Sequence, residues 1–126
     1  MSLLHAVVRI DHHAAQVLQF DATQALAQQV REHVHCTRQH GSHVRSEHEF
    51  FDQVCDATKG IAEVLVVGSH TALADFRRYV EKHRAETALR IVGWETADHM
   101  STNELVATAR RYFRAHEGMA TPMKAG

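Results

Sequence analysis

The sequence predicts an α/β fold in which a mixed five-stranded sheet carries helices on both faces. Three observations lead to this prediction. Three strand-like segments open the chain, helical and strand-like segments then follow in turn, and two Ser-x-x-Glu patterns mark helix starts at Ser46 and Ser101. The predicted order is β-β-β-α-β-α-β-α, with the first and fourth strands central. Three successive strands followed by this alternation form the ribonuclease H-like arrangement.

The first part of the chain holds the three successive strands. Leu4–Ile10 alternates between apolar and polar residues, and Asp11–His13 connects it to a second strand, Ala14–Phe20, so we expect a hairpin. Asp21–Gln24 is a turn. Ala25–Cys36 continues as a third strand with imperfect alternation, which favours a position at the edge of the sheet.

The rest of the chain alternates helix and strand. A helix starts at Ser46 and closes at Gly60, and Ile61–Val67 is nearly all apolar and β-branched, as in a central strand covered on both faces. Ala88–Trp94 is the fifth strand, and the last helix follows Ser101. Apolar residues at helical spacing mark the second and third helices: Leu73, Phe76 and Val80, then Leu105, Ala109, Tyr112 and Phe113.

Composition indicates one globular domain over residues 1–118 and a flexible polar tail over residues 119–126. Hydrophobic residues make up 44% of the 126 residues and charged residues 23%. No apolar run approaches the roughly 20 residues that span a bilayer, we find no signal peptide, and two cysteines form no disulfide framework. We therefore expect a cytoplasmic protein without a membrane partner. The net charge of −1 is not that of a dedicated nucleic-acid binder, so any basic surface must be local.

Five of the twelve histidines lie between His33 and His48. His33 and His35 are two apart on a predicted strand, so both imidazoles leave the same face. With His40 and His43 from the following loop they form a candidate metal site, for which zinc is the best match because nitrogen ligands suit it. The opposing interpretation is a solvated strand face leading into a polar loop, which the irregular spacing favours.

Polar residues also follow the ends of the predicted strands, where sites gather in open α/β sheets. These candidates are Asp11, His12, His70, Asp98 and His99. A metal-dependent nuclease needs clustered carboxylates at such a place. The carboxylate set is incomplete here, and Asp11 and Asp98 also suit ordinary turns. Ser69 beside His70 suggests a nucleophile and base, but no third member is evident.

Two helices carry basic residues that could contact RNA phosphates. The last helix has Arg110, Arg111 and Arg114, and the helix before it has Arg77, Arg78, Lys82 and Arg84. The alternative is a pair of solvated helix faces, because glutamates are interspersed among these cations.

Several stretches resemble known proteins of translation. Ile61–Phe76 (IAEVLVVGSHTALADF) resembles the strand, glycine turn and helix of the middle domain of eukaryotic and archaeal class-1 release factors and of Pelota. Ile91–Leu105, Ala109–Phe113 and the opening His5–Phe20 resemble a group of small bacterial proteins called translational machinery proteins. The resemblance covers nearly the whole chain and implies that fold and an association with translation.

Release factors carry a Gly-Gly-Gln tripeptide between the third strand and the first helix. Here that connection is Thr37–Arg45, which reads Gln39-His-Gly-Ser-His43 and lacks the tripeptide. Hydrolysis of peptidyl-tRNA is therefore not implied. We interpret the chain as a non-catalytic accessory module that binds the ribosome or structured RNA. The alternatives are a metal-dependent hydrolase and a metal-binding or pH-responsive module. A homodimer through the surface around Trp94 is a further hypothesis.

Overall fold

The structure is a computed structural model and describes residues 4–12, 14–21, 30–37, 43–97 and 100–125. These residues form five strands and four helices. In chain order they are β1 (Leu4–Ile10), β2 (Ala14–Asp21), β3 (Val30–Thr37), α1 (His43–Ala57), β4 (Glu63–Gly68), α2 (His70–His83), α3 (Ala85–Arg90), β5 (Ile91–Thr96) and α4 (Thr102–Ala125).

The strands form one mixed sheet in the order β3-β2-β1-β4-β5. β2 is antiparallel to both β1 and β3, whereas β4 is parallel to both β1 and β5. The predicted mixed α/β class is confirmed. The strand order also agrees with the expectation that β1 and β4 are central and that β3 lies at an edge.

Each face of the sheet has its own apolar core. On one face, α1 and α2 bring Phe50 and Phe76 against Val8 and Val66. On the other face, α4 brings apolar residues against Val7, Leu18, Leu65 and Val67. This division follows from strand geometry, because neighbouring residues such as Val7 and Val8 point to opposite faces.

Local hydrogen bonds form the predicted turns. In the β1–β2 hairpin the backbone NH of Asp11 donates to the carbonyl of Ala14 at 3.0 Å, and the Asp11 carboxylate accepts from the NH of Ala14 at 2.7 Å. After α1, Gly60 has a φ of 82°, a left-handed conformation that favours glycine. Asp11 and Gly60 thus have the turn roles that the sequence suggested.

The predicted element order is wrong between α2 and β5, where the structure has an additional helix, α3. We expected the fifth strand to span Ala88–Trp94, but it begins at Ile91. The stretch Ala85–Arg90 reads AETALR, and most of these residues favour helices. The observed order is therefore β-β-β-α-β-α-α-β-α.

One of the two predicted helix starts is confirmed. The backbone NH of Glu104 donates to Ser101 Oγ at 3.2 Å, and the NH of Ser101 donates to Glu104 Oε1 at 2.8 Å, which is a complete capping box. The start at Ser46 is wrong, because α1 begins at His43. A serine and a glutamate three residues apart also fit inside a helix, so the pattern alone does not fix the boundary.

Two other predicted boundaries stay predictions. β3 is described over Val30–Thr37, and the earlier part of the predicted strand lies outside the described residues. α4 continues to Ala125, beyond residue 118, where we expected the domain to end. In the described part of the chain, no helix is both long and apolar enough to cross a bilayer.

Candidate nucleic-acid interface

α4 is anchored on the sheet through one apolar face. Leu105, Ala109 and Phe113 are completely buried against β1 and β4. Their spacing of four residues places them one above another on the helix. The opposite side of α4 consequently points away from the sheet, and that side carries the basic residues.

Tyr112 fixes α4 against the edge strand β5. Its hydroxyl donates to the backbone carbonyl of Val92 at 2.7 Å. Its ring occupies the space that a side chain at Gly93 would fill, because a Cβ added there would clash with Tyr112. Burial, followed by the charges of Glu95 and Glu63, raises the pKa of Tyr112, so the phenol stays protonated and remains a donor at neutral pH.

The three predicted RNA-contacting arginines are brought together at one cavity. Arg110, Arg111 and Arg114 line a surface depression of about 490 Å³, together with Ala107 and Ala115. Arg111 and Arg114 are exposed, and Arg110 is half-buried. Ala107 and Ala115 are exposed as well, and their side chains are short.

These arginines place positive charge on the side of α4 that points away from the sheet. Within the described ranges, no ion pair joins Arg110, Arg111 or Arg114 to a carboxylate. The Nε of Arg110 is buried and has no hydrogen-bond acceptor in the described structure. A buried donor without an acceptor is costly to the folded state.

The arginines of α2 differ from those of α4 because they are paired with carboxylates. Arg77 Nε lies 3.1 Å from Glu81 Oε2, and Arg78 lies 3.5 Å from Asp75. The Arg77 guanidinium also lies 5.6 Å from the centre of the Trp94 ring, which packs on Phe76. The surface around Trp94 is thus partly covered, and dimerisation through it stays a prediction.

Arg84, at the junction of α2 and α3, is a structural residue. Its guanidinium contacts Asp52 at 3.1 Å, Asp56 at 3.0 Å and Glu86 at 3.1 Å. The hydrogen bonds to these carboxylates, foremost the one to Asp56, raise the pKa of Arg84 further. Arg84 therefore ties α1 to the α2–α3 junction and is not available for a phosphate.

The strand-end candidates serve turns and caps in the described structure. Asp11 closes the hairpin, and His12 Nε2 lies 2.9 Å from Thr71 Oγ1. His70 is the exposed first residue of α2, and the preceding Ser69 caps that helix by accepting from the NH of Ala72 at 3.2 Å. Asp98 and His99 lie outside the described residues.

The histidine segment is distributed over both faces of the sheet. His33 pairs with Leu18 and His35 with Gln16 in the β2–β3 register, which places both positions on the face that α4 covers. His43 begins α1, which packs on the other face. His40 lies outside the described residues, and so do the side chains of His33, His35 and His43. In the described ranges, no three His, Cys, Asp or Glu residues are grouped so that they could hold a metal ion.

Sequence reasoning missed two arrangements of histidine. His5 is buried, its Nε2 lies 2.9 Å from Glu63 Oε1, and its ring contacts Phe113 at 4.4 Å. His48 and His83 meet between α1 and α2, with ring centroids 5.3 Å apart. The sequence could have indicated one of these contacts. His83 lies four residues after Tyr79, a spacing that places the two rings on the same face of a helix.

No family model matches the chain, and no curated protein is similar to it in sequence. Solved structures do match its fold. The Pelota protein of Thermoplasma acidophilum has a TM-score of 0.56 at 20% identity and covers 82% of this chain and 30% of its own. The Pelota of Archaeoglobus fulgidus has a TM-score of 0.60 at 14% identity, over 96% of this chain and 37% of its own.

An archaeal translation termination factor, aRF1, matches with a TM-score of 0.55 at 12% identity, over 98% of this chain and 41% of its own. The chain thus spans less than half the length of each of these proteins. At such low identities the matches show a shared fold, and that fold is the one the resemblance predicted.

Proposed function

We propose that this chain is a non-catalytic, translation-associated module that binds structured RNA, such as that of the ribosome, through the arginines of α4. The observation that carries the proposal is the cavity of about 490 Å³ whose lining includes Arg110, Arg111 and Arg114. Three cations on one side of a single helix, without carboxylate partners in the described structure, favour a polyanionic ligand.

The chemistry of arginine supports a phosphate ligand. A guanidinium donates two parallel hydrogen bonds to phosphate oxygens in a fixed fork geometry. Because the Nε of Arg110 is buried, a phosphate oxygen at Arg110 would accept from its terminal Nη atoms. Arg111 and Arg114 are exposed on the same helix and would contact adjacent phosphates of the strand.

The fold supports the association with translation. A protein described as a translation termination factor shares the fold over nearly the whole chain. The sequence stretch that resembles release factors, Ile61–Phe76, contributes β4 and the first part of α2. The ribonuclease H-like assignment, the single domain and the cytoplasmic location belong to the same proposal. The strand order with parallel β4 and β5 supports the first of these.

The proposed module has no hydrolytic role at the peptidyl-tRNA ester, because the segment from Gln39 to His43 has no Gly-Gly-Gln. In a ribosome release assay, we expect no stop-codon-dependent product above background. Release that requires this protein would contradict the non-catalytic part of the proposal and would leave RNA binding to be judged separately.

RNA binding is tested by reversing the three charges. The triple variant R110E/R111E/R114E should lose at least about tenfold in affinity for ribosomal RNA, because a loss of about 1.4 kcal/mol is less than one charge-assisted hydrogen bond provides. The matched control R77E/R78E/K82E changes the net charge by the same amount on α2. It should retain more affinity than the α4 variant.

Circular dichroism should establish that both triple variants are folded. If the two variants bind RNA equally, affinity depends on net charge and the α4 interface is wrong. If the α4 variant binds as the wild type does, these arginines do not contact RNA.

A further inference from the structure

A groove between α1 and α2 lies apart from the α4 arginines. It has a volume of about 180 Å³ and is lined by Glu47 and His48 from α1 and by Asp75, Tyr79 and His83 from α2, among others. His48 is the last histidine of the segment between positions 33 and 48. The groove thus joins part of that segment to a histidine 35 residues later in the chain.

We propose that this groove binds a divalent transition-metal ion through the imidazoles of His48 and His83. Their ring centroids are 5.3 Å apart and their planes are inclined by 54°. Zinc–nitrogen bonds are about 2.0–2.1 Å long, and two imidazoles on one tetrahedral ion therefore have centroids roughly 5 Å apart. The observed separation needs only small side-chain movements to accommodate a shared ion.

A buried tyrosine holds both imidazoles in place. The Tyr79 ring lies 5.0 Å from that of His48 and 4.9 Å from that of His83. Tyr79 is only 8% exposed, and its hydroxyl donates to Asp52, which in turn accepts from Arg84 at 3.1 Å. Ligands whose support is fixed in advance lose less conformational entropy when an ion binds.

The nitrogen atoms of the two rings are uncommitted within the described residues. His5 and His12 use a ring nitrogen to contact Glu63 and Thr71, whereas His48 and His83 make ring contacts only. A neutral imidazole with a free nitrogen lone pair is the form that binds a metal. These two histidines are therefore better disposed to bind an ion than His5 or His12.

The charges that line the groove oppose one another. Glu47 and Asp75 favour a cation, whereas Arg78 and Lys82 disfavour it. Arg78 is paired with Asp75 at 3.5 Å, which reduces the effect of both. Since no group of three potential ligands occurs in the described ranges, the protein supplies two nitrogen ligands and water completes the shell. For a site with two nitrogen ligands, we expect a higher affinity for Cu²⁺ than for Zn²⁺.

The test is calorimetric titration of the untagged, full-length protein with Zn²⁺ at neutral pH. The variant H48Q/H83Q should bind one equivalent less than the wild type, and the single variant H83Q should lose the same equivalent. Both side chains lie at the surface of the groove, so circular dichroism should show folded variants. The matched control H33Q/H35Q removes a different histidine pair and should retain the equivalent assigned here.

Thermal unfolding provides a second readout, because an ion that binds only the folded state raises the melting temperature. Zn²⁺ should raise it less in H48Q/H83Q than in H33Q/H35Q. Equal stoichiometry and equal thermal shifts in the wild type and H48Q/H83Q would overturn the proposal. Loss of the equivalent only in H33Q/H35Q would also overturn it and would assign the ion to β3.

Discussion

The arginines of α2 and α4 look alike in the sequence and differ in the structure. Both helices carry adjacent arginines with further cations within one or two turns. On α2, Arg77 and Arg78 face carboxylates on their own helix at 3.1 and 3.5 Å. On α4, Arg110, Arg111 and Arg114 share a cavity and have no such partners in the described part of the chain.

The difference shows that arginines on a helix indicate a ligand-binding surface only when the positions of nearby acidic residues are also considered. Arg77 and Glu81 are four residues apart and Asp75 and Arg78 are three apart, spacings that bring side chains together on a helix. Arg110 and Arg111 have no acidic residue three or four positions before or after them. Arg114 has Glu117 three positions after it, and the side chain of Glu117 lies outside the described residues. Paired arginines support the fold weakly, whereas unpaired arginines are available to a ligand.

The largest expected effect on stability comes from Arg84, the cation with the most partners. Arg84→Ala removes contacts to Asp52, Asp56 and Glu86. Because the carboxylates are about half exposed and screened by water, we expect a loss of about 1–3 kcal/mol in the free energy of unfolding. Urea denaturation measures it, and RNA affinity should be unchanged. A stable variant that loses RNA affinity would reverse the roles assigned to the two helices.

The next effect concerns the anchor of α4. Tyr112→Phe keeps the ring against Gly93 but removes the hydrogen bond to the carbonyl of Val92. We expect a loss of about 1 kcal/mol in the free energy of unfolding, because that carbonyl loses its side-chain donor. RNA affinity of the folded variant should match that of the wild type. An unchanged unfolding curve would show that the Tyr112 hydroxyl does not help to fix α4.

A smaller effect on stability is expected at the arginines of the cavity. Arg111→Ala should change the free energy of unfolding by no more than about 0.5 kcal/mol, because Arg111 is exposed and has no ion pair among the described residues. The same variant should bind RNA more weakly. A clear loss of stability would indicate that Arg111 has a structural partner, and the contrast with Arg84 would fail.

The smallest expected effect is a pH dependence of stability that comes from Glu86, at the α2–α3 junction. A backbone hydrogen bond, and then the hydrogen bond from Arg84, lower the pKa of Glu86. A lowered folded-state pKa contributes stability above the unfolded-state pKa, about 4.3 for glutamate, and that contribution is lost as pH falls. Glu86→Gln should therefore be slightly less stable than the wild type at neutral pH and equally stable in acid. A difference that grows in acid would contradict the assigned sign.

The sheet was predictable because its strands have strong local patterns. Leu4–Ile10 alternates between apolar and polar residues. The apolar, β-branched run that ends at Val67 is typical of a strand covered on both faces. Ala85–Arg90 was missed because the expected strand started too early, at Ala88, although the residues before Ile91 favour a helix. Ser46 was misassigned because the capping pattern also fits within a helix.

The candidate sites were predictable only in part. Arg110, Arg111 and Arg114 lie within one turn of a helix, so their proximity follows from the sequence. The three partners of Arg84 lie up to 32 residues away in the chain, and His48 meets His83 across two helices. Such contacts depend on how α1 packs against α2, which residue patterns do not specify.

The central claim is that the arginines of α4 bind RNA phosphates, and the salt dependence of RNA affinity tests it most directly. Each phosphate contact contributes about 0.7–0.9 to the slope of log affinity against log salt concentration. Replacing Arg110, Arg111 and Arg114 by alanine should therefore reduce the magnitude of the slope by about 2–3, whereas replacing Arg77, Arg78 and Lys82 should change it less. An identical slope in the wild type and the α4 variant would contradict the claim.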